Sequence, residues 1–174
     1  SGEAYSRNFG GSNWLDQRQE SIKFSDREPA VLVVGGGQAG LAVAARLGQL
    51  EIETLVIDKH DRIGDNWRKR YHSLALHNQI HVNHLPYLPF PPTWPKYIPK
   101  DMLANWFELY ADVMQVNFWT GAELINANYD GRLNHWVATV RQNNNSERIL
   151  KPKHIIFANG VSGIPYKPKL DGLC

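Results

Sequence analysis

The sequence predicts an α/β fold, a parallel sheet joined to a three-stranded antiparallel meander, and three observations predict it. First, the run AVLVV at residues 30–34 passes through three glycines into an alanine-rich stretch and then into a second apolar run, Thr54–Ile57. Neither run alternates apolar with polar residues, which suits strands buried on both faces of a parallel sheet. Second, residues 122–129, 135–142 and 148–150 are β-like stretches divided by the turn signals Asp130-Gly131 and Asn143-Asn144-Asn145. Third, HIIFA at 154–158 returns to the buried-strand pattern and runs into Asn159-Gly160.

In chain order, residues 1–28 are polar and read as a connector, with a helix over Asn13–Ile22 capped by Asn13 and too little apolar surface to fold alone. Residues 29–174 form the domain proper. Gln38–Leu50 reads as a helix whose Ala42, Ala44 and Ala45 allow close packing on the sheet. Strand, glycine turn, helix and strand within about thirty residues make a βαβ unit, with its near-obligatory right-handed crossover. Six of the ten prolines fall between Pro86 and Pro99, so that stretch is neither helix nor central strand. Its Tyr87, Leu88, Phe90, Trp94, Tyr97 and Ile98 argue for a packed irregular loop, against a disordered linker. Leu103, Trp106, Phe107, Tyr110, Val113 and Met114 then stand at helical spacing and predict a helix over 100–116. Pro165 and Pro168 mark an exit loop.

Composition narrows the function classes. With 174 residues, 43% hydrophobic and 21% charged, the chain has the size and balance of one globular domain. Its formal charge is +2 and no basic cluster is interleaved with aromatics, so nucleic acid is not an expected partner. The longest apolar stretches, 30–34 and 41–45, fall far short of the roughly 20 residues that span a bilayer, so no membrane partner is expected either. The lone cysteine, Cys174, excludes an intrachain disulfide framework and a multi-cysteine metal site. Together with the polar start SGEAYSRNFGG, it fits a soluble cytoplasmic protein. The sequence leaves the oligomeric state open.

The residues that carry chemistry begin at the first turn. Gly35-Gly36-Gly37-Gln38-Ala39-Gly40 fits G-x-G-x-x-G. Gly35 permits the tight turn out of the strand, Gly37 lets the backbone approach a pyrophosphate, and Gly40 lets the helix lie on the strand. The helix start, at Gln38 and Ala39, offers free amides and a partial positive charge to phosphate. Asp58 follows eighteen residues after Gly40 at a strand end, where an acid meets the ribose hydroxyls. This context makes the match a dinucleotide site on a Rossmann-like fold. Lys59 and Arg62, beside Asp58, raise an NADP reading through a 2′-phosphate; the fingerprint itself reads only the ADP half that FAD and NAD share. His77, His81 and His84 cluster in sequence but lack carboxylate partners, so no metal site is expected.

The next segment carries a resemblance. Arg62-Ile63-Gly64-Asp65-Asn66-Trp67-Arg68, followed by Tyr71-His72-Ser73-Leu74, is similar to the "GG-x-W…Y-x-S-L" segment of flavin-containing monooxygenases, with Asp65 in place of the usual second Gly. Leu74-Ala75-Leu76-His77 and Leu85 to Pro91 extend the likeness, closest in spacing to the plant YUCCA-type enzymes and their bacterial and fungal relatives. Phe157-Ala158-Asn159-Gly160 resembles the family's "ATG" element, with Asn for Thr, and the meander matches the family's replacement of the last crossover helix. The resemblance implies that Asn66, Trp67 and Arg68 wrap FAD and that Ala158, Asn159 and Gly160 lie beside it. Many members use an Asn near the reactive face of the flavin; here His77 stands at that place and Asn78 next to it, and either is a candidate.

What the family implies is an NADPH-dependent monooxygenase that passes one oxygen atom of O2 to a small organic substrate through a flavin C4a-(hydro)peroxide. The chain is then expected to be the FAD-binding part of a flavoprotein with two dinucleotide-binding domains. No second G-x-G-x-x-G follows Gly40, so NADPH would be bound mainly by a further domain and this part alone would be inactive. Two alternatives stay open: the FAD-binding part of another pyridine-nucleotide flavoprotein, or a non-catalytic dinucleotide-binding module. A dithiol enzyme would need a cysteine pair that this sequence does not hold.

Overall fold

The computed structural model describes residues 11–161 together with Tyr166, Pro168 and Lys169; Pro165 and Cys174 lie outside the described residues. The elements run α1 (Trp14–Ile22), β1 (Val31–Val34), α2 (Gln38–Gln49), β2 (Thr54–Ile57), α3 (Asp65–Arg68), α4 (Lys100–Val113), β3 (Phe118–Trp119), β4 (Ala122–Asp130), β5 (His135–Gln142), β6 (Glu147–Leu150) and β7 (His154–Phe157). A 3₁₀ turn at Ile80–Val82 interrupts the loop between α3 and α4. Two sheets result: a parallel one in the order β3-β2-β1-β7, and an antiparallel one in the order β4-β5-β6. This is the α/β arrangement expected of the sequence.

The lack of alternation in β1 and β2 has its cause in three layers. Leu32, Leu55 and Ile57 face the meander, where Ala122, Ala138, Val140 and Leu150 meet them. Val31, Val33 and Val56 face the other way, onto Ala44 of α2. A strand covered on both faces needs an apolar residue at every position. Behind α2 a second core gathers Leu103, Trp106, Phe107 and Tyr110 of α4 with Leu41, Ala45, Leu85, Phe90 and Ile98. The proline-rich stretch is therefore packed: Phe90 stacks on Trp94 with ring centroids 5.4 Å apart, and Trp94 meets Trp106 edge-on at 5.2 Å.

Residues 13–24, before β1, are docked on the domain. Asn13 caps α1 through a reciprocal pair of bonds with Asp16, each 3.0 Å. Arg18 then reaches the carbonyl of Gln115 and the side chain of Asn117, the Trp119 indole donates to the Ile22 carbonyl at 2.7 Å, and Phe24 is buried in the core under the meander. Three elements depart from the sequence reading. The helix expected to run to 116 ends at Val113, because Gln115 takes the left-handed conformation (φ 52°) and turns the chain into β3. Both β3 and α3 are new, and each is too short, at two and four residues, to show a period.

Two buried polar groups fix α4. Lys100, only 6% exposed, donates from Nζ to the Arg68 carbonyl (2.9 Å) and to Asp101 (2.7 Å), tying the start of α4 to the end of α3. Tyr110 is fully buried, and its hydroxyl donates to the Pro86 carbonyl at 2.9 Å. Burial, with a smaller push from Tyr87, raises the phenol pKa to about 12. Since the unfolded chain loses this proton near pH 10, the contribution to stability is whole below pH 10 and is lost as pH rises towards 12. Urea titrations should show stability falling by at most about 1.4 kcal/mol per pH unit in that window from this group. Tyr110→Phe should remove that component while costing about 1 kcal/mol at neutral pH for the lost bond to Pro86.

Candidate dinucleotide-binding site

The carboxyl ends of β1 and β7 lie side by side, at the point where the chain leaves β1 for β2 on one flank and meets β7 on the other. In open parallel sheets ligands bind outside such a switch point. Gly35 leaves β1 at φ +106°, and a Cβ on it would lie 2.6 Å from the carbonyl oxygen of Ala158. That contact places Ala158 and Asn159 against the glycine turn; on Gly160, just beyond, a Cβ would meet nothing within 4 Å among the described residues. A Cβ on Gly40 would lie 1.9 Å from the Gly35 carbonyl oxygen, so α2 can rest on the turn only without a side chain there.

Gly37 caps α2 with no side-chain bond, and the first intrahelical bond is Leu41 N–H to the Gly37 carbonyl at 2.9 Å. The amides of Gln38, Ala39 and Gly40 therefore have no partner within the helix, and Gln38 and Ala39 are exposed. The helix has no acid in its first turn to compete for those donors. Among the described residues a Cβ on Gly37 would meet only the Asn66 amide, at 3.1 Å. The turn thus offers uncapped donors and an open approach to the backbone, which is what an anionic diphosphate requires.

Asp58 sits at the end of β2 as expected, and its Oδ2 accepts the Gly36 amide at 2.7 Å. Its Oδ1 accepts both the amide (2.9 Å) and Nδ1 (2.7 Å) of His60. Lys59 is exposed, whereas Arg62 is engaged by Glu108, with Nη2 to Oε2 at 2.8 Å. The cleft between these groups is lined by Gly36, Asp58, His60, Gly64, Asn66 and Phe118 among others. Phe118 and His60 escaped the sequence reading. Phe118 lies on Gly36, where a Cβ would fall 2.1 Å from the ring, and only the pairing of β3 with β2 brings it there.

α3 carries the motif residues. Gly64 begins it at φ +89°, and a Cβ there would lie 2.5 Å from the Ala104 carbonyl oxygen of α4. Asp65 takes the first helical position and pairs with Arg68 (3.3 Å) and Lys69 (3.5 Å). Asn66 faces the glycine turn, and Trp67 packs on the α4 core with its Nε1 buried and without a partner. Arg68 donates to the Ile63 carbonyl (2.6 Å), Asn105 (3.0 Å) and Glu108 (2.8 Å), so its guanidinium binds α3 to α4. The glycine turn, with uncapped amides at the start of α2 and Asn66 beside Gly37, fits a cofactor with polar acceptors, and α3 also holds a buried indole donor without a partner among the described residues.

His77 and Asn78 stand apart from this cleft, on an exposed bend. The bend is anchored on both sides, by Leu76 N–H to the Ile98 carbonyl (2.9 Å) and Ile80 N–H to the Lys96 carbonyl (2.8 Å). Among the described residues neither side chain makes a hydrogen bond; only the Asn78 carbonyl does, accepting from Asn83 at 3.2 Å.

Comparison with known proteins follows the same outline. A family model for an NAD(P)-binding Rossmann-like domain matches residues 33–93. Indole-3-pyruvate monooxygenase YUCCA1 of Oryza sativa subsp. japonica is 32% identical over 146 residues, covering 83% of this chain and 35% of that protein. The probable indole-3-pyruvate monooxygenase YUCCA1 of Arabidopsis thaliana is 32% identical over 142 residues, covering 81% and 33%. The chain is a relative of the flavin monooxygenases. It spans about a third of the length of these curated relatives. Among solved structures, a flavin-containing monooxygenase from Stenotrophomonas maltophilia superposes with a TM-score of 0.68 at 20% identity, over 81% of this chain and 41% of that one. A bacillithiol disulfide reductase from Staphylococcus aureus gives 0.72 at 14%, over 83% and 42%. The fold is thus shared by a flavin-containing monooxygenase and a bacillithiol disulfide reductase, whereas the curated proteins similar in sequence are monooxygenases.

Proposed function

We propose that this chain binds FAD as the FAD-binding part of an NADPH-dependent flavin monooxygenase, which inserts one oxygen atom of O2 into a small organic substrate. The observation that carries the FAD reading is the cradle itself: the uncapped start of α2, with Asp58 on one flank and Asn66 and Trp67 of α3 on the other. In this reading the amides of Gln38, Ala39 and Gly40 bind the pyrophosphate, and Gly35 and Gly37 let it approach. Asp58 accepts from the adenosine ribose, with Lys59 at the rim. Asn66 and Trp67 donate to the cofactor from α3, Arg68 holds that helix in place, and Ala158, Asn159 and Gly160 line the far side of the turn.

Bound FAD would supply the redox chemistry, taking electrons from a reduced nicotinamide and activating O2. The chain's own tasks are to hold the dinucleotide and to exclude water. His77 or Asn78 is the group of this chain offered to the reacting end; their exposure on the bend suits a place that the rest of a longer protein would cover. The division into a connector, 1–28, and a dinucleotide-binding domain, 29–174, belongs to the same reading, as do NADPH binding mainly by a further domain and a cytoplasmic location. Among the described residues no helix is long and apolar enough to cross a membrane.

Titration of the purified chain tests the core of the proposal. FAD should bind and keep a yellow absorbance band through gel filtration, whereas FMN, which keeps one phosphate but lacks the AMP half, should bind at least about tenfold more weakly because it forgoes the second phosphate and the adenosine ribose contacts. A chain that binds NADPH in preference to FAD, or no flavin at all, would refute it.

A further inference from the structure

Asp58 is held by more bonds than a ribose-binding acid needs. Each carboxylate oxygen offers about two acceptor sites. The amide and Nδ1 of His60, at 2.9 and 2.7 Å, fill both sites on Oδ1, and the Gly36 amide at 2.7 Å fills one on Oδ2. A single acceptor site on Oδ2 is left. Because an ionised carboxylate only accepts, the His60 ring must carry a proton on Nδ1. The pair is partly sheltered, Asp58 16% and His60 25% exposed, so the bond competes with water less than a surface contact would. His60 is fixed in turn: its carbonyl accepts the Gly121 amide at 2.8 Å, and the Asp58 carbonyl accepts that of Ala122 at 2.9 Å, locking both residues to the start of β4.

We propose that His60 is a positioning residue for the dinucleotide, holding Asp58 in one rotamer and occupying Oδ1 so that the adenosine ribose is received by Oδ2 alone. The inference rests on the FAD reading and goes beyond it. An unencumbered carboxylate can accept both hydroxyls of a ribose, one on each oxygen. Here one hydroxyl is accepted and the other is not, so the site distinguishes the two. The imidazole thus sets which part of the adenosine is read, without itself touching it.

The test uses the whole 174-residue chain, with FAD as the ligand and ADP, 2′-deoxy-ADP and 3′-deoxy-ADP as competitors. In the unaltered chain, loss of one hydroxyl should weaken competition by about tenfold or more, and loss of the other by less than about threefold. In His60→Ala, Oδ1 is free to accept the second hydroxyl, so each deoxy competitor should lose to a similar degree and the difference between the two should collapse to within about threefold. His60→Asn, whose amide can donate from near the place of Nδ1, should occupy Oδ1 again and restore the difference. A purely structural role would lower affinity without changing the discrimination. Nitrogen-15 NMR of the imidazoles gives a reading that no variant needs, and His60 should carry its proton on Nδ1 in the folded chain. Equal loss of competition for both deoxy competitors, unchanged discrimination in His60→Ala, or an Nδ1 without a proton would overturn the inference while leaving FAD binding in place. Failure of the unaltered chain to bind FAD would overturn the FAD reading, and this inference with it.

Discussion

Gly40→Ala should lower the stability of the chain by at least about 3 kcal/mol and remove nucleotide binding. A Cβ at this position would lie 1.9 Å from the Gly35 carbonyl oxygen and 3.4 Å from a methyl of Val33. The first of these neighbours is backbone and cannot turn aside as a side chain would, so α2 must move off β1. Overpacking a core usually costs about 1–3 kcal/mol, and this overlap is with the main chain, which places it at or above that range. For a domain whose whole stability is on the order of 5–15 kcal/mol, the urea midpoint should fall sharply. Binding should be lost for a second reason. Displacing α2 carries the free amides of Gln38 and Ala39 away from the Gly35 turn and the end of β1, and a helix terminus acts on an anion only within its first turn. Gly48→Ala is the control: the same residue change in the same helix, with open space around the added methyl, should be neutral or slightly stabilising by helix propensity. If Gly40→Ala unfolds at the same urea concentration as the unaltered chain, the close packing of α2 on the turn is refuted.

The parallel core was legible in the sequence because two-sided burial imposes an unbroken apolar run. Val31–Val34 and Thr54–Ile57 could hardly be anything else once the glycines between them were read. The meander was legible for a different reason, since turn residues divide it and its strands begin and end at those turns. Short-range pattern could not reveal β3. Phe118 and Trp119 are a strand only because β2 lies beside them, and the consequence for the site, an aromatic ring on Gly36, depends on that pairing. His60 was hidden in the same way: a histidine two residues past a strand end has no sequence signature, and its bond to Asp58 exists only in the turn. Lys100 shows the converse, a cation at a helix start where the helix dipole disfavours it, made tolerable by the Arg68 carbonyl and the Asp101 carboxylate.

The motif around residue 64 shows how a sequence resemblance acquires a physical cause. Where the related segment has two glycines this chain has Gly64-Asp65, and the structure requires glycine only at the first. Gly64 is in the left-handed region, and a Cβ on it would meet the carbonyl oxygen, carbonyl carbon and Cα of Ala104 at 2.5 to 2.9 Å. Asp65 has ordinary helical backbone and a use for its side chain, since its carboxylate pairs with Arg68 and Lys69. Gly64→Ala should therefore cost about 2–4 kcal/mol, the sum of roughly 1–2 kcal/mol for a left-handed alanine and the overlap with α4. Asp65→Gly, which would recreate the doublet, should cost no more than about 1 kcal/mol, from a partly sheltered ion pair and a helix-start acid. The same pair of variants probes the site, because α3 brings Asn66 to Gly37 and holds the unpartnered indole of Trp67. Gly64→Ala should weaken FAD by more than about tenfold even under conditions where most of the chain remains folded, whereas Asp65→Gly should leave FAD within a few fold. Urea unfolding and flavin titration on the same samples separate the two effects. Equal stability and equal affinity for Gly64→Ala would mean that α3 need not lie against α4, and with that the placement of Asn66 and Trp67 at the cofactor would lose its support.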